Sequence, residues 1–131
     1  MYHHPWVGIS GRDIDPDLAH VLGLQDARGF LVISVIDDSP AKKAGMHGMT
    51  ETKEVDGVSY QVGGDIILTV DGKIVRKIDD ILIHLQREKT VGDQMVLQIL
   101  RDGKATDIIL TLEERPNSNG IITNSTNSTQ R

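Results

Sequence analysis

A short run near the start, Pro5-Trp6-Val7-Gly8-Ile9-Ser10, holds the residue types best suited to chemistry in this chain. Gly8 has no Cβ, so the backbone there can turn until successive N–H groups aim at one anion. The sequence then runs straight into an extended segment. An anion-binding turn followed by a strand suits capture of a peptide's C-terminal carboxylate, with the rest of the peptide added along the strand. The same apolar-Gly-apolar pattern also fits a buried hairpin, and both readings stand on these residues alone.

Other candidates for chemistry carry less. Ser10 lies between glycines in Gly8-Ile9-Ser10-Gly11, as hydrolase serines do. Those nucleophiles need a sharp turn and a base within reach, whereas Ser10 sits in strand-like sequence with Arg12 where a second glycine would follow. The histidines are His3, His4, His20, His47 and His84, and no two stand at the i, i+4 spacing of a helical zinc site. Solvated or capping roles are expected for them. Asp37-Asp38 and Asp79-Asp80 fall at loop ends or helix starts, where carboxylates accept orphan N–H groups. Gly63-Gly64 lacks the lysine and hydroxyl of a phosphate loop. No catalytic residue, metal or cofactor is therefore expected.

The elements that must position the first motif can be read from periodicity. Residues 7–12 read as a strand. Asp15-Pro16 is a cap followed by a helix-starting proline, Leu18, Val21 and Leu22 share one face, and Gly23 suits the left-handed residue past the end of a helix over Pro16–Leu22. Residues 29–36 form a β-branched apolar run, a central strand. Ser39-Pro40 repeats the cap-and-proline device, and Gly45 closes a helix of one to two turns. Asp56-Gly57 and Asp102-Gly103 mark two-residue hairpins, and a strand over residues 65–70 ends at Asp71-Gly72. The longest helix is expected over Ile78–Glu88, with Ile78, Ile81, Leu82 and Leu85 at helical spacing. Five or six strands with three helices and repeated Asp-Gly turns predict an α+β fold with antiparallel pairing.

Composition bounds the rest. The 131 residues suffice for one domain, with 38% hydrophobic and 25% charged residues as in globular proteins. A net charge of -5 and the lack of a basic stripe argue against a nucleic-acid partner. Without cysteine there is no disulfide, thiolate zinc site or thiol nucleophile. One domain over residues 1–115 is expected, then a polar tail over 116–131 that is rich in Asn, Ser and Thr and expected to be disordered. That tail holds two glycosylation sequons, Asn124-Ser125-Thr126 and Asn127-Ser128-Thr129.

In this order the motifs resemble the PDZ domains of HtrA/Deg-type serine proteases. The matching residues are Trp6-Val7-Gly8-Ile9, Asp15-Pro16-Asp17-Leu18-Ala19, Leu22-Gly23-Leu24 and Arg28-Gly29-Phe30-Leu31-Val32. Ser39-Pro40-Ala41-Lys42-Lys43-Ala44-Gly45 followed by Gly64-Asp65-Ile66-Ile67 is the most specific part, and Val70-Asp71-Gly72-Lys73, Gly92-Asp93 and Leu100-Arg101-Asp102-Gly103-Lys104 complete the series. The resemblance implies a small, bent antiparallel sheet or partial barrel capped by helices, in the circularly permuted order that opens with the carboxylate loop. It implies that Trp6, Val7, Gly8 and Ile9 form that loop and that Ile9, Ser10, Gly11 and Arg12 receive the peptide as a strand. The long helix becomes the opposite wall through Ile78, Leu82 and Leu85, with Ile81 assigned to the core. Val7, Ile9, Leu82 and Leu85 are the candidates for the pocket of the last side chain. Only Gly8 needs unusual dihedrals there, so Gly8→Ala is expected to weaken carboxylate capture more than folding.

Two departures from the family pattern stand out. Residues 47–63 form an insertion, and Ile78 stands where many animal PDZ domains place a hydroxyl-reading histidine, which favours an apolar preference there. The expected partners are peptide C-termini or unfolded segments, an adjoining protease domain and, through it, a homo-oligomer. The alternatives are a non-proteolytic adaptor or secretion-system domain, and a structural spacer whose groove is blocked. The resemblance also implies an extracytoplasmic location, whether periplasmic, extracellular or membrane-tethered.

Overall fold

The computed structural model describes residues 5–114, so His3, His4, the tail and its sequons lie outside the described residues. In chain order the elements are β1 (Pro5–Trp6), β2 (Ile9–Asp13), α1 (Pro16–Leu22), β3 (Phe30–Val35), α2 (Pro40–Lys43), β4 (Glu51–Val55) and β5 (Val58–Val62). They continue with β6 (Ile66–Val70), β7 (Lys73–Ile74), α3 (Ile78–Glu88), β8 (Gln94–Arg101), β9 (Lys104–Thr111) and β10 (Glu113–Glu114).

All strand pairs are antiparallel, as the Asp-Gly turns predicted. The main sheet runs β2-β3-β6-β8-β9, with β7 beside β6. The turn aspartates Asp56, Asp71 and Asp102 all adopt positive φ ahead of glycines that do the same, the geometry of a tight hairpin. The sequence reading missed the two-residue strands β7, β1 and β10, the last two pairing Pro5 with Glu114 and Trp6 with Glu113. Two residues on each side carry no periodicity, and their partners are more than a hundred residues apart. This pairing fixes the entry to the Val7-Gly8 turn against the far end of the chain, and it fits the permuted order.

The sheet carries a core on each face. The larger joins Phe30, Val32, Ile67, Met95, Leu97, Ile99 and Leu110 to Ile81 and Leu85 of α3, to Ala41 of α2 and to Val7. The smaller sits under α1 and joins Ile14, Leu18, Ala19, Leu31 and Ile66. Helix α1 has the expected ends, with the Asp15 carboxylate accepting from the Leu18 N–H at 2.8 Å and Gly23 left-handed.

Residues 47–63 hold the hairpin β4–β5, which roots on β3. Strand β3 has one residue, Ile33, without a partner in β2, since Ser10 pairs with Ser34 and Gly11 with Val32. The Ile33 carbonyl accepts instead from Met49 N–H at 2.8 Å, just before β4. Asp65, only 1% exposed, fixes the other end of this connection. Its carboxylate takes Arg101 Nε at 2.8 Å, Arg101 Nη2 at 2.7 Å and the His47 N–H at 2.9 Å. A buried aspartate is tolerated because a bidentate guanidinium and an amide replace its water.

Candidate peptide groove

The turn at Val7-Gly8 is held from behind by its carbonyls. Val7 O accepts from the Ala41 N–H at 3.0 Å and Gly8 O from the Ile36 N–H at 2.8 Å. Ser39, fully buried, caps α2 by accepting from the Lys42 N–H at 3.1 Å and donates to the Ile36 carbonyl at 2.6 Å. The Ser-Pro-Ala motif therefore docks the start of α2 onto the back of the turn. With both carbonyls turned inward, the N–H groups of Val7 and Gly8 have no partner among the described residues. Gly8 sits at φ +90, and a Cβ there would lie 2.1 Å from Ser39 Cβ. That corrects the expectation for Gly8→Ala, since the methyl group would strike the scaffold before any ligand arrives.

Strand β2 ends the main sheet, and its register shows what its outer edge offers. The Ile36 N–H bonds Gly8 O and the Ile14 N–H bonds Gly29 O, so the pairs Ile9↔Val35 and Asp13↔Phe30 exchange no bonds of their own. The N–H and C=O of Ile9 and Asp13 point away from β3. By the two-residue period of a strand, Gly11 between them faces the same way. Three rungs for an added antiparallel strand thus begin directly after the turn. Among the described residues no strand pairs with this edge, and the β4–β5 hairpin leaves it open. Gly11 is needed for a different reason, as a Cβ there would lie 1.9 Å from the Leu31 carbonyl oxygen.

Helix α3 packs on the same core as the turn. Leu85 is buried at 5% exposure in the same core as Val7, while Ile9 and Ile78 pack against that core from its edge. Leu82, one turn beyond Ile78, is 47% exposed, and Ile81 is core as expected. Of the candidate residues, Val7 and Leu85 are thus buried in that core, Ile9 and Ile78 lie partly buried against it, and Leu82 is exposed. Ser10 and Arg12 point elsewhere. The Ser10 hydroxyl meets that of Ser34, and Arg12 pairs with Asp15 at 3.1 Å and lies 6.0 Å from the Tyr60 ring. Sequence reasoning passed over Asp13, whose carboxylate accepts from the Ile78 N–H at 2.8 Å and so ties the end of β2 to the start of α3. The signal for it was Lys77, a poor capping residue that leaves α3 without a local side-chain cap.

His84 corrects another expectation. It is not solvated but buried, with Nε2 2.7 Å from the Asp71 carboxylate. A cleft of ≈230 Å³ lies on that other flank of α3, lined by Val70, Ile74, Ile83 and His84 among others.

The described residues hold no group of three metal-ligating side chains and no helix long and apolar enough to cross a membrane. A family profile described as PDZ domain matches residues 5–115. The chain is 30% identical over 120 residues to a probable periplasmic serine endoprotease, DegP-like, of Marinomonas sp. (strain MWYL1), covering 92% of this chain and 22% of that protein. It is 34% identical over 112 residues to a protein of the same description from Pseudomonas fluorescens, covering 85% of this chain and 20% of the relative. The chain thus spans about a fifth of the length of these curated relatives. Among solved structures, the HtrA-type protease AlgW with a tripeptide superposes with a TM-score of 0.67 at 24% identity, over 92% of this chain and 35% of that one. The HtrA3 PDZ domain bound to a phage-derived ligand, FGRWV, superposes with a TM-score of 0.65 at 19% identity, over 90% and 93% of the two chains.

Proposed function

The chain belongs to the PDZ domain family, and on that premise we propose that it captures peptide C-termini or extended apolar segments in the groove between β2 and α3. The observation that carries this is the outer edge of β2, whose rungs at Ile9, Gly11 and Asp13 start beside the free N–H groups of Val7 and Gly8. A terminal carboxylate on those amides makes charge-assisted bonds, strand addition gives sequence-tolerant affinity, and an apolar last side chain fills the floor at Val7 and Leu85. A micromolar complex needs about -8 kcal/mol, within reach of one buried side chain and these bonds.

On this reading the domain binds and does not cut, and the Ser10 hydroxyl meets that of Ser34. The DegP-like relatives support a trypsin-like serine endopeptidase as the adjoining part of the parent protein, to which this module presents unfolded chains or whose activity it regulates. Their periplasmic description supports an extracytoplasmic setting. The open edge of β2 favours a working groove over the blocked spacer.

Trp6, the sole tryptophan, adjoins the turn and reports on it. Titration of its fluorescence with short peptides ending in Val, Leu or Phe is expected to saturate with the free acid and not with the C-terminal amide. Equal binding of acid and amide would refute carboxylate capture and leave strand addition alone. No binding by the folded domain would favour the spacer.

A further inference from the structure

We propose that Asp13 makes the groove select a basic side chain four residues before the C-terminal residue of its peptide, an inference that rests on the carboxylate-loop reading above. The rungs of β2 set the count. The turn that takes the carboxylate immediately precedes Ile9, so the last peptide residue pairs with Ile9, the residue two before it with Gly11, and the residue four before it with Asp13. Residues directly opposed in an antiparallel pair carry their side chains on the same face with Cβ atoms about 5 Å apart.

The Asp13 carboxylate lies on the groove face, since its Oδ1 accepts from the first N–H of α3 at 2.8 Å. Its Oδ2 has no partner among the described residues, and the side chain is exposed. The cations next in sequence to Asp13 and to Ile78 are already matched. Arg12 pairs with Asp15 at 3.1 Å and Lys77 with Asp79 at 3.7 Å. One oxygen of Asp13 is thus fixed by the helix and the other is left to meet a cation at the third rung. A lysine or arginine there binds a carboxylate that is already held in place, and a glutamate is repelled.

The test uses acetylated five-residue peptides with free carboxyl ends, of the form Xaa-Ala-Ala-Ala-Val, with Xaa being Lys, norleucine or Glu. Affinities are read from Trp6 fluorescence for the whole chain and for Asp13→Asn, whose amide oxygen still accepts from Ile78 N–H. The Lys peptide is expected to bind about fivefold to tenfold more tightly than the Glu peptide, the range of an exposed ion pair plus a lost repulsion. That ratio should approach one in Asp13→Asn and in 1 M salt, where charges beyond about 3 Å are screened. Equal affinities for Lys and Glu in the unsubstituted protein would overturn the proposal, and so would a Lys preference that survives Asp13→Asn. Saturable norleucine binding with either of those results would leave the carboxylate-loop reading intact. If no free acid binds while circular dichroism shows a folded chain, both fall together.

Discussion

Gly8 shows how one residue serves scaffold and site at once. Its φ of +90 turns the Val7 and Gly8 carbonyls inward, and the space a side chain would need is filled by Ser39. Gly8→Ala is therefore expected to cost at least about 2 kcal/mol of stability, from the left-handed backbone and a clash that only a shift of α2 relieves. The shift in the denaturant unfolding midpoint measures it, and a loss under about 0.5 kcal/mol would mean that the turn can rearrange freely. The need for glycine was legible from the sequence. That the need is mainly architectural was not, because Ser39 lies 31 residues away and reaches Gly8 only through the docking of α2.

At the scale of elements, the helical stripe on α3 splits into two kinds of residue. Leu85 is 5% exposed and Leu82 is 47% exposed, although both follow Ile78 at groove spacing. Leu85→Ala should destabilise the domain by about 2–5 kcal/mol through the cavity it leaves. Leu82→Ala should alter stability by less than about 0.5 kcal/mol and yet weaken binding of a Val-ended peptide several-fold. Thermal unfolding and peptide titration on the same two variants separate the effects. A Leu82→Ala domain that binds as well as its parent would remove α3's rim from the groove. The bounds of α1 could be read directly from its cap, proline and closing glycine, and those of α3 from its apolar period alone, since Lys77 gives no cap signal. Strand β2 was read as 7–12 rather than 9–13, since an apolar run does not show where pairing starts.

Across the whole molecule, Asp71 joins three elements through one carboxylate. It accepts from the Val96 N–H of β8 at 2.8 Å, lies 2.7 Å from His84 Nε2 within α3, and meets Lys89 Nζ at 2.9 Å just past that helix. Burial pushes its pKa up, but the Val96 N–H, His84 and Lys89 outweigh this and lower it from 3.8 to about 2. The folded pKa lies below the unfolded one, so the stabilisation is complete above about pH 4 and lost as the pH falls towards 2. The amount is about 2 kcal/mol. Asp71→Asn should unfold more readily at pH 7 and show a shallower loss of stability between pH 4 and 2. An unchanged acid slope in urea unfolding would show that other carboxylates set the acid limit.

The sequence alone determined the longer elements, the antiparallel pairing and the family pattern, because each follows from local rules of period, capping and turn chemistry acting over a few residues. It also pointed to a turn at Gly8. The tertiary structure decided that β2 ends its sheet, that Ile9, Gly11 and Asp13 face outward, that His84 is buried on Asp71, and that Asp13 caps a helix 65 residues away. Those facts depend on which segments meet. Contacts across tens of residues are chosen by the packing of the whole chain, and a local signal such as the poor cap at Lys77 shows that a partner is needed without naming it.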